Sequence, residues 1–150
     1  QKQFKLKTIK KVYYAIVHGY WPKDMDTVNV PLVKNKLSSG ERIVKVGREG
    51  KQSKTNFKII SRLKEATLLE IRPETGRTHQ IRVHCQHAGF PIVGDSKYKV
   101  DSNNSDLTRS NKLCLHAARI AFKDPTSETL IEIDAPIDKY FRSILDNINQ

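Results

Sequence analysis

Cysteine, methionine, tryptophan and acidic residues are scarce in this sequence, and long apolar runs are missing. The 150 residues include 2 cysteines, 1 methionine and 1 tryptophan. Cys85 and Cys114 lack the CxxC spacing of zinc sites and are too few for a disulfide framework, so a reducing, cytoplasmic location is expected. No apolar stretch approaches the ~20 residues that a membrane span requires, and the sequence therefore predicts a soluble protein without a membrane partner.

The shortage of acidic residues leaves a large positive charge. Lys and Arg number 27 against 16 Asp and Glu, which gives a formal net charge of +11. Such a surplus steers polyanions, because each neutralised phosphate releases condensed counterions. The alternative interpretation is a basic soluble protein that has no polyanionic partner. Few aromatics accompany the basic residues, which favours contacts to phosphate over base stacking. Basic residues are concentrated in two segments: Lys5, Lys7, Lys10 and Lys11, then Lys34, Lys36, Arg42, Lys45, Arg48, Lys51 and Lys54.

Length and composition predict one domain with a real core, since 37% of the residues are hydrophobic. The β-branched and aromatic run 12–17 predicts a central strand that is apolar on both faces. Thr55 to Ser61 and Thr67 to Arg72 alternate and predict neighbouring antiparallel strands, joined by Arg62 to Ala66. Four further strands are expected at Val28 to Leu32, Ile43 to Val46, Leu113 to Phe122 and Leu130 to Ala135.

The segment 79–88 predicts a helix, with Thr78 as its N-cap and Gly89 at its C-terminal end. A strand is the competing interpretation, because residues 80–84 alternate polar and apolar. In a helix, Ile81, Cys85 and Ala88 share the buried face and Arg82 borders it.

Two more segments complete the prediction. Asp101 to Lys112 is almost wholly polar and predicts a loop. Asp138 is expected to cap a short amphipathic helix. The sum is an α+β fold with a mixed, mostly antiparallel sheet and few helices. The buried face of the last helix is expected to hold Phe141, Ile144, Leu145 and Ile148.

Three histidines near Cys85 raise the question of a metal site or a thiol nucleophile. His79, His84 and His87 do not have the i, i+4 spacing of HExxH, so no metal is predicted. Cys85 falls on the apolar stripe and is expected in the core. Arg82, flanked by Ile81 and Val83, needs an acidic partner, either in a structural salt bridge or in a functional site.

The run 76–84, Gly-Arg-Thr-His-Gln-Ile-Arg-Val-His, resembles the signature of RluA-type pseudouridine synthases. Three other segments agree in order: residues 11–19 resemble the family's K-x-Y-x-A-x-V-x-G strand, residues 94–98 its G-D-x-x-Y segment, and residues 113–117 its L-x-L-H-A strand. Residues 31–35, 39–44 and 50–51 are most similar to the RluC-like branch, which modifies large-subunit ribosomal RNA.

The resemblance implies an isomerase that converts specific uridines of large-subunit (23S) ribosomal RNA to pseudouridine without a cofactor. It implies that Arg82 pairs with the catalytic aspartate and that Tyr13 lies beneath the flipped uracil as the second catalytic residue. Leu115 is implied as part of an apolar wall. We expect four residues to bind substrate: Arg77, His79, Gln80 and Leu115. The protein is expected to act as a monomer.

The family's nucleophilic aspartate belongs to an H-R-L-D-x-x-T-S-G segment that these 150 residues do not contain. Asp95 follows Gly94 in a segment that matches a different, non-nucleophilic stretch of the family. We therefore expect residues 1–150 to be the C-terminal portion of one catalytic domain, with the catalytic aspartate outside this chain. The alternative is a noncatalytic RNA-binding module that keeps the scaffold.

Overall fold

A six-stranded antiparallel sheet forms the centre of the fold. The computed structural model describes residues 9–99 and 111–148. The first strand, β1, is central and is paired on both sides, and its Ala15, Ile16 and Val17 are fully buried, as the apolar run predicts. The strand order is β2-β5-β6-β1-β7-β8, which confirms the predicted α+β class with a mostly antiparallel sheet. These strands are β1 (Lys10–His18), β2 (Thr27–Asn29), β5 (Lys54–Leu63), β6 (Ala66–Pro73), β7 (Leu115–Lys123) and β8 (Leu130–Asp134).

The predicted pairing of the two strands after residue 53 is confirmed, and both strands are longer than expected. β5 and β6 are joined by a turn in which Glu65 adopts φ 56°, the left-handed region. The tight turn lets pairing extend to Leu63 opposite Ala66, so the predicted connection over Arg62 to Ala66 is mostly strand.

The strand predicted over Val28 to Leu32 is interrupted. Pro31 has no N–H to donate to a ladder, and the chain leaves the main sheet there. The next strand, β3 (Leu32–Lys36), pairs with β4 (Arg42–Val46) in a separate two-stranded sheet. Leu32 and Val44 of this β3–β4 hairpin are buried against Val83 of the following helix. β3 extends to Asn35 and Lys36 because these residues pair with Ile43 and Arg42 of β4.

The segment after residue 79 is a helix, α1 (Gln80–His87), and the strand alternative is wrong. Its N-cap is His79, with φ 53°, and no side chain caps the helix, so the predicted Thr78 cap is wrong. Its C-terminal end is as expected: Gly89 has φ 93° and donates to Gln86 O, while Phe90 N donates to Cys85 O.

The buried face of α1 is also as predicted. Ile81 and Cys85 lie in the main core, and Ala88 is partly buried against it. Arg82 lies at the border of this face, with its side chain 20% exposed. The helix therefore packs between the large sheet and the β3–β4 hairpin.

The C-terminal part follows the prediction closely. The second helix, α2 (Lys139–Ile148), begins after Asp138, whose Oδ1 accepts a hydrogen bond of 2.8 Å from Phe141 N. Phe141 and Ile148 are buried, and Ile144 and Leu145 pack beside them. The loop predicted over Asp101 to Lys112 lies mostly outside the described residues. Among the helices that the structure describes, none has the length and apolarity to span a bilayer.

Candidate functional site

One face of the central sheet carries Tyr13 and Leu115. Tyr13 lies opposite Ile71 on β6 and opposite Ala117 on β7, and Leu115 lies opposite Ala15. Since residues two apart on a strand point to the same face, Tyr13 and Leu115 share that face on neighbouring strands. A register shift between Val12 and Tyr13 interrupts the β1–β7 ladder at this point. Such irregularities re-aim side chains beside functional sites.

Helix α1 lies over the same face of the sheet. Thr55 on β5 belongs to the face of Tyr13, since Thr55 is two residues from Phe57, which pairs with Ile71. The Thr55 hydroxyl bonds to Gln80 Nε2 at 2.9 Å and to His84 Nδ1 at 2.8 Å. The fold therefore brings Tyr13, Leu115 and the signature run to one side of the sheet.

Arg82 has a carboxylate partner within this chain. Its Nε donates to Asp95 Oδ2 and its Nη2 to Asp95 Oδ1, each at 2.8 Å, in a bidentate pair. The hydrogen bond to Asp95 raises the pKa of Arg82. The structural salt bridge considered from the sequence is thus present, and the need for an acid near Arg82 does not by itself require another stretch of polypeptide.

Asp95 is completely enclosed by donors. Its carboxylate is fully buried, and Oδ1 also accepts from Lys97 N at 3.0 Å and Tyr98 N at 2.9 Å. Burial alone raises the pKa of Asp95, but the hydrogen bonds from Arg82 and the two backbone amides outweigh it, and the pKa lies below its ordinary value. Asp95 is therefore ionised and holds its own turn together.

Tyr98 joins Arg82 to His79. Its ring lies 4.9 Å from the guanidinium carbon of Arg82, and its hydroxyl accepts a hydrogen bond of 3.0 Å from Val44 N. The same hydroxyl lies 2.8 Å from His79 Nδ1, and in the tautomer of His79 that carries its proton on Nε2, the hydroxyl donates to Nδ1. Burial, together with the nearby Arg82 and Lys97, lowers the pKa of His79. We call His79, Arg82, Asp95 and Tyr98 the charged cluster.

Gln80, a predicted substrate ligand, has hydrogen-bond partners within the chain. Its Oε1 accepts from Thr75 Oγ1 at 2.6 Å and Arg77 N at 3.0 Å, and its Nε2 donates to Lys54 O at 3.0 Å and to Thr55. All of its hydrogen-bonding groups are thus used, and Gln80 is 4% exposed. In this arrangement Gln80 fixes the loop before α1.

Arg77 lies at the surface of that loop. Its Nε donates to Gln52 O at 3.0 Å, and it lines a cavity of about 330 Å³ between the loop and the β3–β4 hairpin. Lys34 and Lys51 line the same cavity, together with one acidic residue, Glu49. The arrangement supplies three cations at an open concave surface.

Sequence reasoning missed a buried polar network around His84, which joins α1 to Ser53 and Thr55. His84 is fully buried, with Nε2 2.7 Å from Ser53 Oγ and Nδ1 2.8 Å from Thr55 Oγ1. Ser53 donates to Val30 O, so it accepts from His84 Nε2, and Thr55 donates to Nδ1. Burial, with His87 nearby, lowers the pKa of His84 to about 4. We call Ser53, Thr55, Gln80 and His84 the neutral network.

The remaining candidates behave as buried or unclustered groups. Cys85 is fully buried as predicted, and burial raises the pKa of its thiol. Within residues 9–99 and 111–148, no three His, Cys, Asp or Glu side chains lie close enough to hold a metal ion. His79 and His84 instead bind Tyr98, Ser53 and Thr55.

Known proteins resemble this chain in sequence. The family model described as RNA pseudouridylate synthase matches residues 1–87. Ribosomal large subunit pseudouridine synthase C of Yersinia pestis is 44% identical over 146 residues, which are 96% of this chain and 46% of that protein. The protein of the same name from Escherichia coli is 43% identical, over 98% of this chain and 47% of its own length. The chain therefore spans about half the length of the curated relatives that it matches.

Solved structures resemble it in fold. Human RNA pseudouridylate synthase domain containing 4 superimposes with a TM-score of 0.78 at 23% identity, over 99% of this chain and 65% of that one. Human RNA pseudouridylate synthase domain containing 1 superimposes with a TM-score of 0.73 at 27% identity, over 95% of this chain and 60% of that one. The resemblance carried by residues 76–84 is confirmed: with a family model matched over more than half of its length, this chain belongs to the RNA pseudouridylate synthase family.

Proposed function

We propose that residues 1–150 form the C-terminal portion of one catalytic domain, in a protein that isomerises specific uridines of large-subunit ribosomal RNA to pseudouridine. The observation that carries the proposal is the half-buried Arg82, held on α1 over the sheet face that bears Tyr13 and Leu115. The names of the relatives from Yersinia pestis and Escherichia coli support RNA of the large ribosomal subunit as the substrate.

The reaction breaks the C1′–N1 glycosidic bond of uridine and rejoins the base to C1′ through C5. It needs a carboxylate at the sugar, a cation that keeps this carboxylate ionised, a platform for the extruded base and an acceptor for the C5 proton. Arg82 is the cation in this proposal. The carboxylate comes from the part of the complete protein that lies outside these 150 residues.

Tyr13 lies beneath the extruded uracil and takes part in removing the C5 proton, and Leu115 forms part of the apolar wall. His79 donates from Nε2 to the substrate, because Nδ1 is occupied by Tyr98. Arg77 contacts phosphate, and Gln80 acts by fixing the loop that carries Arg77, through its bond to Arg77 N.

The basic surface next to the site accounts for RNA binding. Lys34, Lys51 and Arg77 surround the open cavity beside the β3–β4 hairpin, and Lys45 is exposed on the hairpin itself. Cations on an open surface neutralise phosphates without reading sequence. We further propose a cytoplasmic monomer; its two cysteines are buried, which fits a reducing compartment.

The test is tritium release from RNA labelled at uridine C5, with the complete protein that contains this chain. We expect release by the unaltered protein, and Arg82→Ala should reduce the rate of release to a small residual value while RNA is still bound. RNA binding without release by the unaltered protein would contradict the enzyme and favour a noncatalytic RNA-binding module.

The RNA surface is tested by the salt dependence of binding. The slope of log K against log salt is negative. Lys45→Ala and Lys51→Ala should each reduce its magnitude by about one unit if each lysine contacts one phosphate. Lys58→Ala is the control, because Lys58 is exposed on β5 and points to the opposite face of the sheet from Phe57. An unchanged slope for Lys45→Ala and Lys51→Ala would remove both residues from the interface.

A further inference from the structure

Asp95 fixes one edge of the Arg82 guanidinium. The two bonds of 2.8 Å run to Nε and Nη2 from the two oxygens of one carboxylate. Because the guanidinium is planar and rigid, two parallel bonds on one edge fix the direction of every other N–H of the group. The Tyr98 ring, 4.9 Å from the guanidinium carbon, covers one side of it.

The other edge of the guanidinium carries Nη1. Among the residues that the structure describes, none accepts a hydrogen bond from Nη1, and the Arg82 side chain is 20% exposed. Arg82 therefore has a fixed edge and a presented edge. The presented edge has the donors that a second carboxylate needs.

More contacts hold the Asp95 carboxylate in place than a surface ion pair requires. Its carboxylate is fully buried, and two backbone amides, Lys97 N and Tyr98 N, donate to Oδ1, the oxygen that also accepts from Arg82 Nη2. Arg119 and Asp134 offer a contrast: they meet through Nε and one oxygen on β7 and β8, with side chains 49% and 64% exposed. A rigid, buried anchor is what precise orientation of a guanidinium requires.

We propose that Asp95 is a positioning residue, which aims the Nη1 edge of Arg82 at the catalytic carboxylate and does not itself touch the substrate. This inference rests on the proposed function. Asp95 acts only through Arg82, so its removal should matter only while the guanidinium is present.

A double-mutant cycle in the complete protein tests this inference, with single-turnover tritium release as the rate. Asp95→Asn keeps an oxygen for the two backbone amides but places an NH₂ group against the guanidinium. We expect the rate to fall by about 100-fold, as misplacement of a reacting group does, with RNA affinity changed less than about twofold. In the Arg82→Ala background, the same Asp95→Asn change should alter the residual rate by less than about twofold.

Glu41→Gln is the matched control. It removes the 2.7 Å ion pair between Glu41, which precedes β4, and Lys97, which lies in the same turn as Asp95. Asp95 itself is untouched, so the single-turnover rate should not change. Circular dichroism at the assay temperature measures the folded fraction of every variant. A rate loss explained by unfolding, or an equal loss with and without Arg82, would overturn the inference.

Arg82→Lys gives a second, independent test that leaves Asp95 in place. Lysine keeps the charge but cannot hold one fixed edge and present another. We expect a rate at least about 10-fold below that of arginine, and a lysine variant with full rate would overturn the inference. If the unaltered complete protein releases no tritium, the proposed function fails; if it is active and Asp95→Asn matches it, only the positioning role fails.

Discussion

Helix α1 carries two polar clusters that differ in charge and in access to solvent. The neutral network around His84 is buried and closed, since each nitrogen of the imidazole faces one hydroxyl. In the charged cluster, Asp95 and Tyr98 are buried, but His79 is partly exposed and the Arg82 side chain retains 20% exposure. His79 and His84, five residues apart, thus serve two different purposes.

The difference follows from what burial permits. A buried neutral network stabilises a fold only when every member is satisfied, and the chain from Gln80 through Thr55 and His84 to Ser53 meets that condition. An ion pair of the Arg82 kind is weak evidence for stability, because desolvation of the charges offsets their attraction. The neutral network should therefore govern stability, and the charged cluster should govern activity.

The largest expected effect on stability is that of His84→Leu. It leaves the buried Ser53 and Thr55 hydroxyls each without one partner, and we expect a loss of about 3 kcal/mol in the free energy of unfolding. Urea unfolding measures it. His87→Leu is the control on the same helix, because His87 is exposed, and it should change stability by less than about 0.5 kcal/mol. A loss as small as that of the control would remove the distinction between the clusters.

The pH dependence of stability should report the same histidine. The pKa of His84 is about 4 in the folded protein against 6.5 ordinarily. Below pH 6.5 the unfolded chain binds a proton that the folded chain does not, so stability falls as the pH falls towards 4. From these two pKa values we expect about 2 kcal/mol less stability at pH 5 than at pH 7 from this group.

His18 and His79 also have lowered pKa values and contribute in the same direction. His84→Gln isolates the contribution of His84, since glutamine offers a donor and an acceptor but no titration in this range. Urea unfolding at pH 7 and pH 5 should give a smaller difference for this variant than for the unaltered protein. Equal differences would show that His84 is not the group responsible.

The smallest expected effect on stability belongs to Tyr98→Phe. The ring still covers Arg82, but Val44 N loses its acceptor and His79 loses a hydrogen-bond partner. We expect a loss of about 1 kcal/mol in the free energy of unfolding. Thermal unfolding measures this change. A loss above that of His84→Leu would reverse the comparison, because the charged cluster would then contribute more to stability than the neutral network.

Much of the fold could be predicted from local signals. The central strand, the β5–β6 pair and the Asp138-capped helix follow from apolar periodicity and from caps that act within a few residues. The Thr78 cap was wrong, because His79 adopts a left-handed conformation and bonds to Tyr98, 19 residues later. The division of the expected 28–32 strand depended on Pro31 together with packing of the hairpin on Val83.

The site was predictable only in part. The need of Arg82 for an acid could be read from its apolar neighbours, and the signature run marked the region. The identity of that acid, Asp95, could not, because nothing in the sequence indicates which of nine aspartates a turn will bring to the helix. The roles of Tyr13, Arg77, His79, Gln80 and Leu115 stay predictions.

By itself, the sequence determined the class of fold, the basic surface and the signature that marks the family, since these depend on composition, periodicity and local spacing. Tertiary structure alone decided which polar groups meet: Asp95 with Arg82, Tyr98 with His79, and His84 with Ser53 and Thr55. The physical reason is that hydrogen bonds and ion pairs act over about 3 Å, and only the folded chain brings residues from distant segments within that distance.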